Sequence, residues 1–517
     1  MRSLVGVFAG IYGEPVAAMF RATFQGCSGL KGSIPENIFP VRGSVKAYLF
    51  SGTFDGCTGL TGSIPERLFA NISGTPKTYM FGRTFEGCTG LTGPIPDRLF
   101  ANISGAPETY MFFSTFKNCS GLSSIPAHLF KNISGPAAAN MFNATFYGCT
   151  SLVSTIPDNL FGNITGTAAS MFYATFQGCS NLEGSIPAGL FGDVNGVPAS
   201  SMFRATFNGC SKLTGAIPNG LFGGLHGSPA DYMFYYTFYG CSGLTGSIPA
   251  DLFGNINGAP AKYMFAITFF GCTNLGGTIP DGLFGNISGS AKDSMYSQTF
   301  YNCKNLTGEI PSGLFGDLSG TAQNMFNQTF YGCESLSGTI PSGLFGGLSS
   351  GAAPTKAFYQ TFYKCQNLSG YVPDGLFGSM TATDSTMGGI FTQTGLATSC
   401  PCGTTDVTPE RFTTLWGGKV SCAVGVKPGE YWYGDECTTV CPLNTMDELH
   451  VGDVPAYMTL ADKVTTPAIN IKSGNTTCYV PLAAGNGGTN SLNMTYNNTV
   501  YHADRPGTTP PAGFGQR

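Results

Sequence analysis

The sequence predicts an α/β repeat solenoid of short parallel strands and short helices, followed by a small C-terminal Cys-rich β module. Three observations carry this expectation. Cysteines recur at Cys27, Cys57, Cys88, Cys119, Cys149, Cys179, Cys210, Cys241, Cys272, Cys303, Cys333 and Cys365, with gaps of 30 to 32 residues. Around each one the same pattern is spelled, a good copy being SPADYMFYYTFYGCSGLTGSIPADLFGNI at Ser228–Ile256. The pattern then dissolves near residue 390, where six further cysteines fall in a different composition. A fixed period of this length marks a stacked-repeat architecture, because one unit cannot bury its apolar face alone.

Within a unit, Met233, Thr237 and Cys241 lie four apart, with Phe234 and Phe238 beside them. That stripe predicts a short helix. Ser228 and Pro229 suit its N-cap and first position, and Gly240 loosens its end. The segment Leu244–Ile248 is short and extended; Pro249 turns the residue before it away from helix, so a brief strand is expected to end at Ile248. Leu252, Phe253 and Ile256 then predict a single helical or 3₁₀ turn before a Gly/Asn/Ser corner. Each coil is therefore expected to run helix, strand, turn. Twelve copies occupy residues 1–390, and residues 391–517 form the second region.

The run Thr-Phe-x-Gly-Cys-x-x-Leu, then Ile-Pro, then x-x-Leu-Phe resembles the BspA-like leucine-rich repeat of bacterial and protist surface proteins. Leu244-Thr-Gly-Ser-Ile-Pro249 also looks like the Leu-Thr-Gly-x-Ile-Pro of plant-type leucine-rich repeats. The resemblance covers residues 1–390 and implies a leucine-rich-repeat-type solenoid. The unit here is about eight residues longer than the ~23 of that family, with an added Met-Phe stretch, and one residue shorter between Leu and Ile. The resemblance also implies adhesion or recognition at a cell surface. It names no ligand.

Composition narrows the partners. Charged residues make up 10% of the chain, Gly is 74 of 517, and the net charge is −4 with no basic run. Nucleic acid and anionic membrane are thus poor partners. No stretch of 18 apolar residues predicts a transmembrane segment. A surface of Ser, Thr, Asn and Gly suits a protein or glycan ligand, or self-association along the solenoid. Phe8–Phe20 aligns position for position with Phe69–Phe81, so the start reads as a repeat entered midway, with its cap and any export signal expected upstream.

Each candidate site has two readings. The twelve repeat cysteines are expected to form a structural ladder of buried thiols, against a metal or disulfide series. Asn-Ile-Ser/Thr corners at Asn71, Asn102, Asn132, Asn163 and Asn286 read as recurrent turns, or as glycosylation sequons. Tyr235, Tyr236, Tyr239, Phe270, Tyr331 and Tyr363 lie outward, either to stack on a ligand or to pack between adjacent coils. In the second region Cys400, Cys402, Cys422, Cys437, Cys441 and Cys478 suggest disulfides, in any of fifteen pairings. Zinc on Cys400, Cys402, Cys437 and Cys441 is the alternative, at C-x-C and C-x₃-C spacings that depart from C-x₂-C. Three disulfides favour an oxidising, extracellular or cell-surface setting.

No cofactor is called for and no enzyme is expected, since neither H-E-x-x-H, a P-loop nor a dinucleotide fingerprint occurs. Of four histidines, His128 and His226 sit at variable repeat positions. A hydrolytic site on His450 with Asp447, Glu448 or Asp453 is the distant alternative. The leading expectation is an adhesin or recognition scaffold binding through a solenoid face; the runner-up is a structural, self-assembling surface protein.

Overall fold

Each coil opens with a string of hydrogen-bonded turns. A computed structural model describes residues 3–397, apart from 346–347, 349–350, 353, 374–375, 378–379 and 382–383, and six strands between 431 and 505. In the coil containing Cys241, the amides of Met233, Tyr235, Thr237, Tyr239 and Cys241 each donate to the carbonyl three residues back, at 3.1–3.3 Å. The amides between them, on Tyr232, Phe234, Tyr236, Phe238 and Gly240, donate to Lys262, Met264, Ala266, Thr268 and Phe270 of the next coil. Tyr232, Tyr236 and Gly240 have φ of +59°, +64° and +67°. A left-handed third residue is what a type II turn demands.

The helix expected over Met233–Cys241 is therefore corrected to a turn wall. Its four-residue period comes from a left-handed residue at every fourth position, which sends the intervening amides sideways to the neighbouring coil. An α-helix would keep those amides for carbonyls four residues back. Among the described residues the one α-helix is Asp384–Met387. The architecture is a parallel β-type solenoid with very little helix.

Strand and turn also exchange places. The Asn-Ile-Ser corner, expected as a turn, carries the longest parallel pairing. Gly43–Ser44 pairs with Ile72–Ser73, and Gly135–Pro136 with Ile164–Thr165. His226–Gly227, Asn255–Gly258, Asn286–Ser290 and Asp317–Ser319 lie side by side in one four-stranded parallel sheet. Burial alternates along Asn286–Ser290, with Ile287 inside and Asn286 and Ser288 outside, which is strand periodicity. The Leu244–Ile248 segment, expected as the strand, pairs only through single bridges or two-residue strands in its copies. Examples are Gly62 with Leu91, Gly93 with Leu122, and Gly277–Thr278 with Leu306–Thr307.

The interior is layered by residue type. Phe234 stacks on Phe265 at 5.7 Å between ring centroids, Phe238 on Phe269 at 5.6 Å, and Phe253 on Phe284 at 6.0 Å. Each ladder continues through neighbouring coils, and tilted contacts such as Phe234–Phe253 at 4.6 Å tie one ladder to another. Met233, Leu244, Ile248, Leu252 and Ile256 fill the rest of the section and are buried. Stacked and tilted rings at these separations are favourable beyond their buried area. Tyr296 takes a phenylalanine position, and its hydroxyl is buried without a partner.

The described residues up to Leu396 belong to one compact unit, and the six strands between 431 and 505 to a second. The described part of the second unit is antiparallel. Tyr431–Tyr433 pairs with Glu436–Thr438, Ala468–Ser473 with Thr476–Pro481, and Asn490–Tyr496 with Thr499–Arg505. The alternating apolar and β-branched residues of AINIKS and TTCYVP suit such hairpins.

Candidate functional site

The repeat cysteines divide into eleven and one. Cys57 and the ten after it are buried, whereas Cys27, on the first coil, is exposed. Each buried sulfur donates to a phenylalanine carbonyl of the preceding coil: Cys57 Sγ to Phe24 at 3.0 Å, Cys241 Sγ to Phe207 at 3.1 Å, and so on to Cys365 on Phe330 at 3.0 Å. Burial pushes the thiols of Cys149 and Cys272 up to about 12, far from the reactive thiolate range. Among the described residues no group of His, Cys, Asp and Glu side chains could hold a metal ion. Threonines take a parallel role that sequence reading missed. Thr237 Oγ1 lies 2.8 Å from the Phe234 carbonyl and 3.0 Å from that of Phe203, clasping two coils.

The sequon asparagines belong to the frame as well. The side-chain amides of Asn102, Asn132 and Asn163 donate to Ala70, Ala101 and Lys131 of the preceding coils, at 2.7–2.9 Å. His128 meets only Asp97, at 3.1 Å on an exposed surface, and His226 only the Gly224 carbonyl. A cavity of about 340 Å³ beside Leu4, Phe8, Pro35 and Ile38 is mostly apolar, with Glu36 its one titratable side chain. Of the second-region cysteines, Cys400, Cys402, Cys422 and Cys441 lie outside the described residues. Cys437 and Cys478 are placed there by backbone alone. Their disulfide and zinc readings, and the site on His450 with Asp447, Glu448 and Asp453, fall outside the description too.

Variation concentrates on the outward side of the turn wall. Inward positions repeat Met, Phe, Thr, Phe and Cys almost without change, while the outward columns do not. The column of Tyr239 reads Asp55, Glu86, Lys117, Tyr147, Gln177, Asn208, Tyr239, Phe270, Tyr301, Tyr331 and Tyr363. Its first part is ionic: Asp55 accepts from Gln25 and Arg83, and Arg83 and Lys117 both reach Glu86 at 2.7 and 3.0 Å. Its last part is a half-buried stack of rings from Tyr239 to Tyr363, with neighbouring centroids 4.3–4.9 Å apart. Beside it, Gln298 donates to Gln328 and Gln328 to Gln360. The outward aromatics thus pack on one another between coils, each ring half-buried against its neighbours.

A second aromatic group sits at mid-wall. Tyr232 stacks on Tyr263 at 4.8 Å, Tyr235 meets Tyr263 and Tyr236 edge-on, and Arg204 stands over Tyr173, Tyr232 and Tyr235 at 5.1–5.3 Å. Burial first, and the hydrogen bond with Tyr236 second, push the Tyr235 phenol up. Arg204 was invisible as a site residue in sequence, because its tyrosines come from the two coils on either side of its own. The available signal was tyrosine density at Tyr232, Tyr235, Tyr236 and Tyr239. No helix among the described residues is long and apolar enough to cross a membrane. No family model matches the chain, and neither a curated protein nor a solved structure is similar to it.

Proposed function

We propose that the protein is a recognition scaffold that binds a protein or glycan ligand through the outward turn wall, acting outside the cell or at its surface. The observation that carries the reading is the contrast within one coil. An almost invariant inner frame holds outward columns whose residues change from coil to coil, at a spacing of about 4.8 Å. Selective binding needs variation on a rigid support, and here the two are separated by side of the wall. Tyr, Arg and Asn are also the residues that supply rigid contact area and directional hydrogen bonds in recognition surfaces. The resemblance of Thr-Phe-x-Gly-Cys-x-x-Leu to BspA-like repeats supports the surface setting, and kinship with those proteins is part of the proposal.

The test presents the purified chain to protein and glycan arrays, alongside a variant carrying Tyr235→Ala, Tyr239→Ala and Tyr331→Ala. A ligand retained by the parent chain and lost by the variant, with the far-UV spectrum unchanged, is the expected result. One observation favours a structural, self-assembling protein instead: Thr61-Gly-Ser63, Thr245-Gly-Ser247 and Ser337-Gly-Thr339 are nearly interchangeable. Absence of any array ligand, together with filaments that grow with concentration, would establish that reading and overturn the first.

A further inference from the structure

Arg204 differs from the other arginines of the wall in how much surrounds it: Arg21, exposed, stands over one ring, that of Tyr48, at 5.0 Å. Arg83 pairs with Asp55 and Glu86. The Arg204 side chain enters no ion pair and donates to no protein acceptor among the described residues, yet the residue is half-buried. Its guanidinium carbon lies 5.1 Å from the ring of Tyr173, 5.3 Å from Tyr232 and 5.1 Å from Tyr235. Three rings, from the coils on either side of its own, therefore hold the planar group, while its five N–H donors stay free for a guest. Tyr232 and Tyr235 are themselves fixed by Tyr263. A guanidinium oriented in advance binds a carboxylate by two parallel hydrogen bonds, and little freedom remains to be lost on binding.

From this geometry we infer that Arg204, Tyr173, Tyr232 and Tyr235 form a docking site for an acidic protein segment, an Asp or Glu carboxylate seating on the Arg204 fork. The inference rests on the recognition-scaffold reading and gives it a place and a ligand chemistry. Charge complementarity names the carboxylate. The ring geometry favours a polypeptide over an acidic sugar: Tyr232 and Tyr235 stack on or meet neighbouring rings edge-to-face and Tyr173 lies under Arg204, so few open faces remain for a sugar's C–H surface. Tyrosine edges and hydroxyls around one arginine are instead the composition of protein-binding hot spots.

The probes are acidic dodecapeptides, selected by display from a random library on the full chain, each paired with its Asp→Asn or Glu→Gln counterpart. Sulfated and uronic-acid oligosaccharides run in parallel. Selected peptides are expected to contain a carboxylate, and Arg204→Gln is expected to weaken them about tenfold or more, the scale of one charge-assisted pair. The neutral peptide should lose the same factor, and combining both changes should cost no more than either alone. Lys304→Gln, three coils further along and outside the Arg204 cluster, should bind as the parent does, and thermal unfolding should report Arg204→Gln as folded. Peptides indifferent to Arg204→Gln, or binding of the acidic sugars alone, would overturn this site while leaving the scaffold reading standing. A chain that binds no peptide and no glycan overturns both.

Discussion

The column of Tyr239 is held together in two ways along one wall. In the early coils Asp55, Arg83, Glu86 and Lys117 form a chain of ion pairs, and in the late coils Tyr239 to Tyr363 form a chain of stacked rings. The backbone beneath them is the same: Gly56 and Gly240 share a φ near +70° and donate to the next coil at the same 2.7 Å. The lesson is that the inner frame sets position and the outer column is free to choose its chemistry. Ion pairs near a surface are worth little and are screened by salt, less so where the carboxylates are as covered as Asp55 and Glu86, while ring stacks are indifferent to salt.

The largest test is of what the two regions share. Well below pH 9 the buried repeat thiols are protonated, folded or not. Above it the unfolded chain ionises its cysteines, while folded Cys149 and Cys272 hold their protons to about 12. Stability should therefore fall as pH climbs through that window, by about 1.4 kcal/mol per unit for each buried thiol, as denaturant titrations at stepped pH would record. Early and late coils losing protection at different pH would break the idea of a common frame.

Next in size, Phe85→Ala and Phe269→Ala should each cost about 3–5 kcal/mol in local opening free energy by amide exchange. Equal costs are expected despite the different columns above them. Tyr296→Phe runs the other way: removing a buried, unpartnered hydroxyl should stabilise its coil by about 1–3 kcal/mol, measured in the same way.

The contrast itself is sharpened by Tyr301→Ala, which removes two stacked contacts, set against Glu86→Gln. The first should cost about 1–3 kcal/mol at any ionic strength. The second should cost under about 1 kcal/mol in dilute buffer and nothing measurable in 1 M salt. Matching salt dependence would erase the distinction.

The smallest effect separates turn wall from helix. Ser201 sits at φ +55°, so Ser201→Gly should stabilise by about 1 kcal/mol by relieving a left-handed L-residue. In a helix it would destabilise by a similar amount, and thermal unfolding reads the sign.

Repetition and core were legible in the sequence because burial repeats: Phe234, Phe238, Cys241, Leu244 and Ile248 all face inward as their spacing implied. The helix was misread because a four-residue turn period and a helical period place Met233, Thr237 and Cys241 on the same side. The distinguishing sign was the glycine before most repeat cysteines, a left-handed position and not merely a loose end. Asn286–Ser290 was misread because Asn and Gly in a short segment suggest a corner, although Ile287 between polar neighbours already alternated. The Arg204 cluster was beyond reach, since Tyr173, Arg204, Tyr232 and Tyr235 converge only once the coil length sets which residues become neighbours.

The cross-coil amides have one more consequence. Along the turn wall all five in a coil point the same way, from Tyr232 to Lys262 and from Gly240 to Phe270, and the next coil repeats them. The peptide dipoles add instead of cancelling, as they do in a helix but perpendicular to the chain. The wall therefore carries an arrow, its N–H pole toward the later coils and its carbonyl pole toward the earlier ones. An extended guest laid along it meets two inequivalent ends, and the orientation that sets its anionic end toward the later coils is lower in energy.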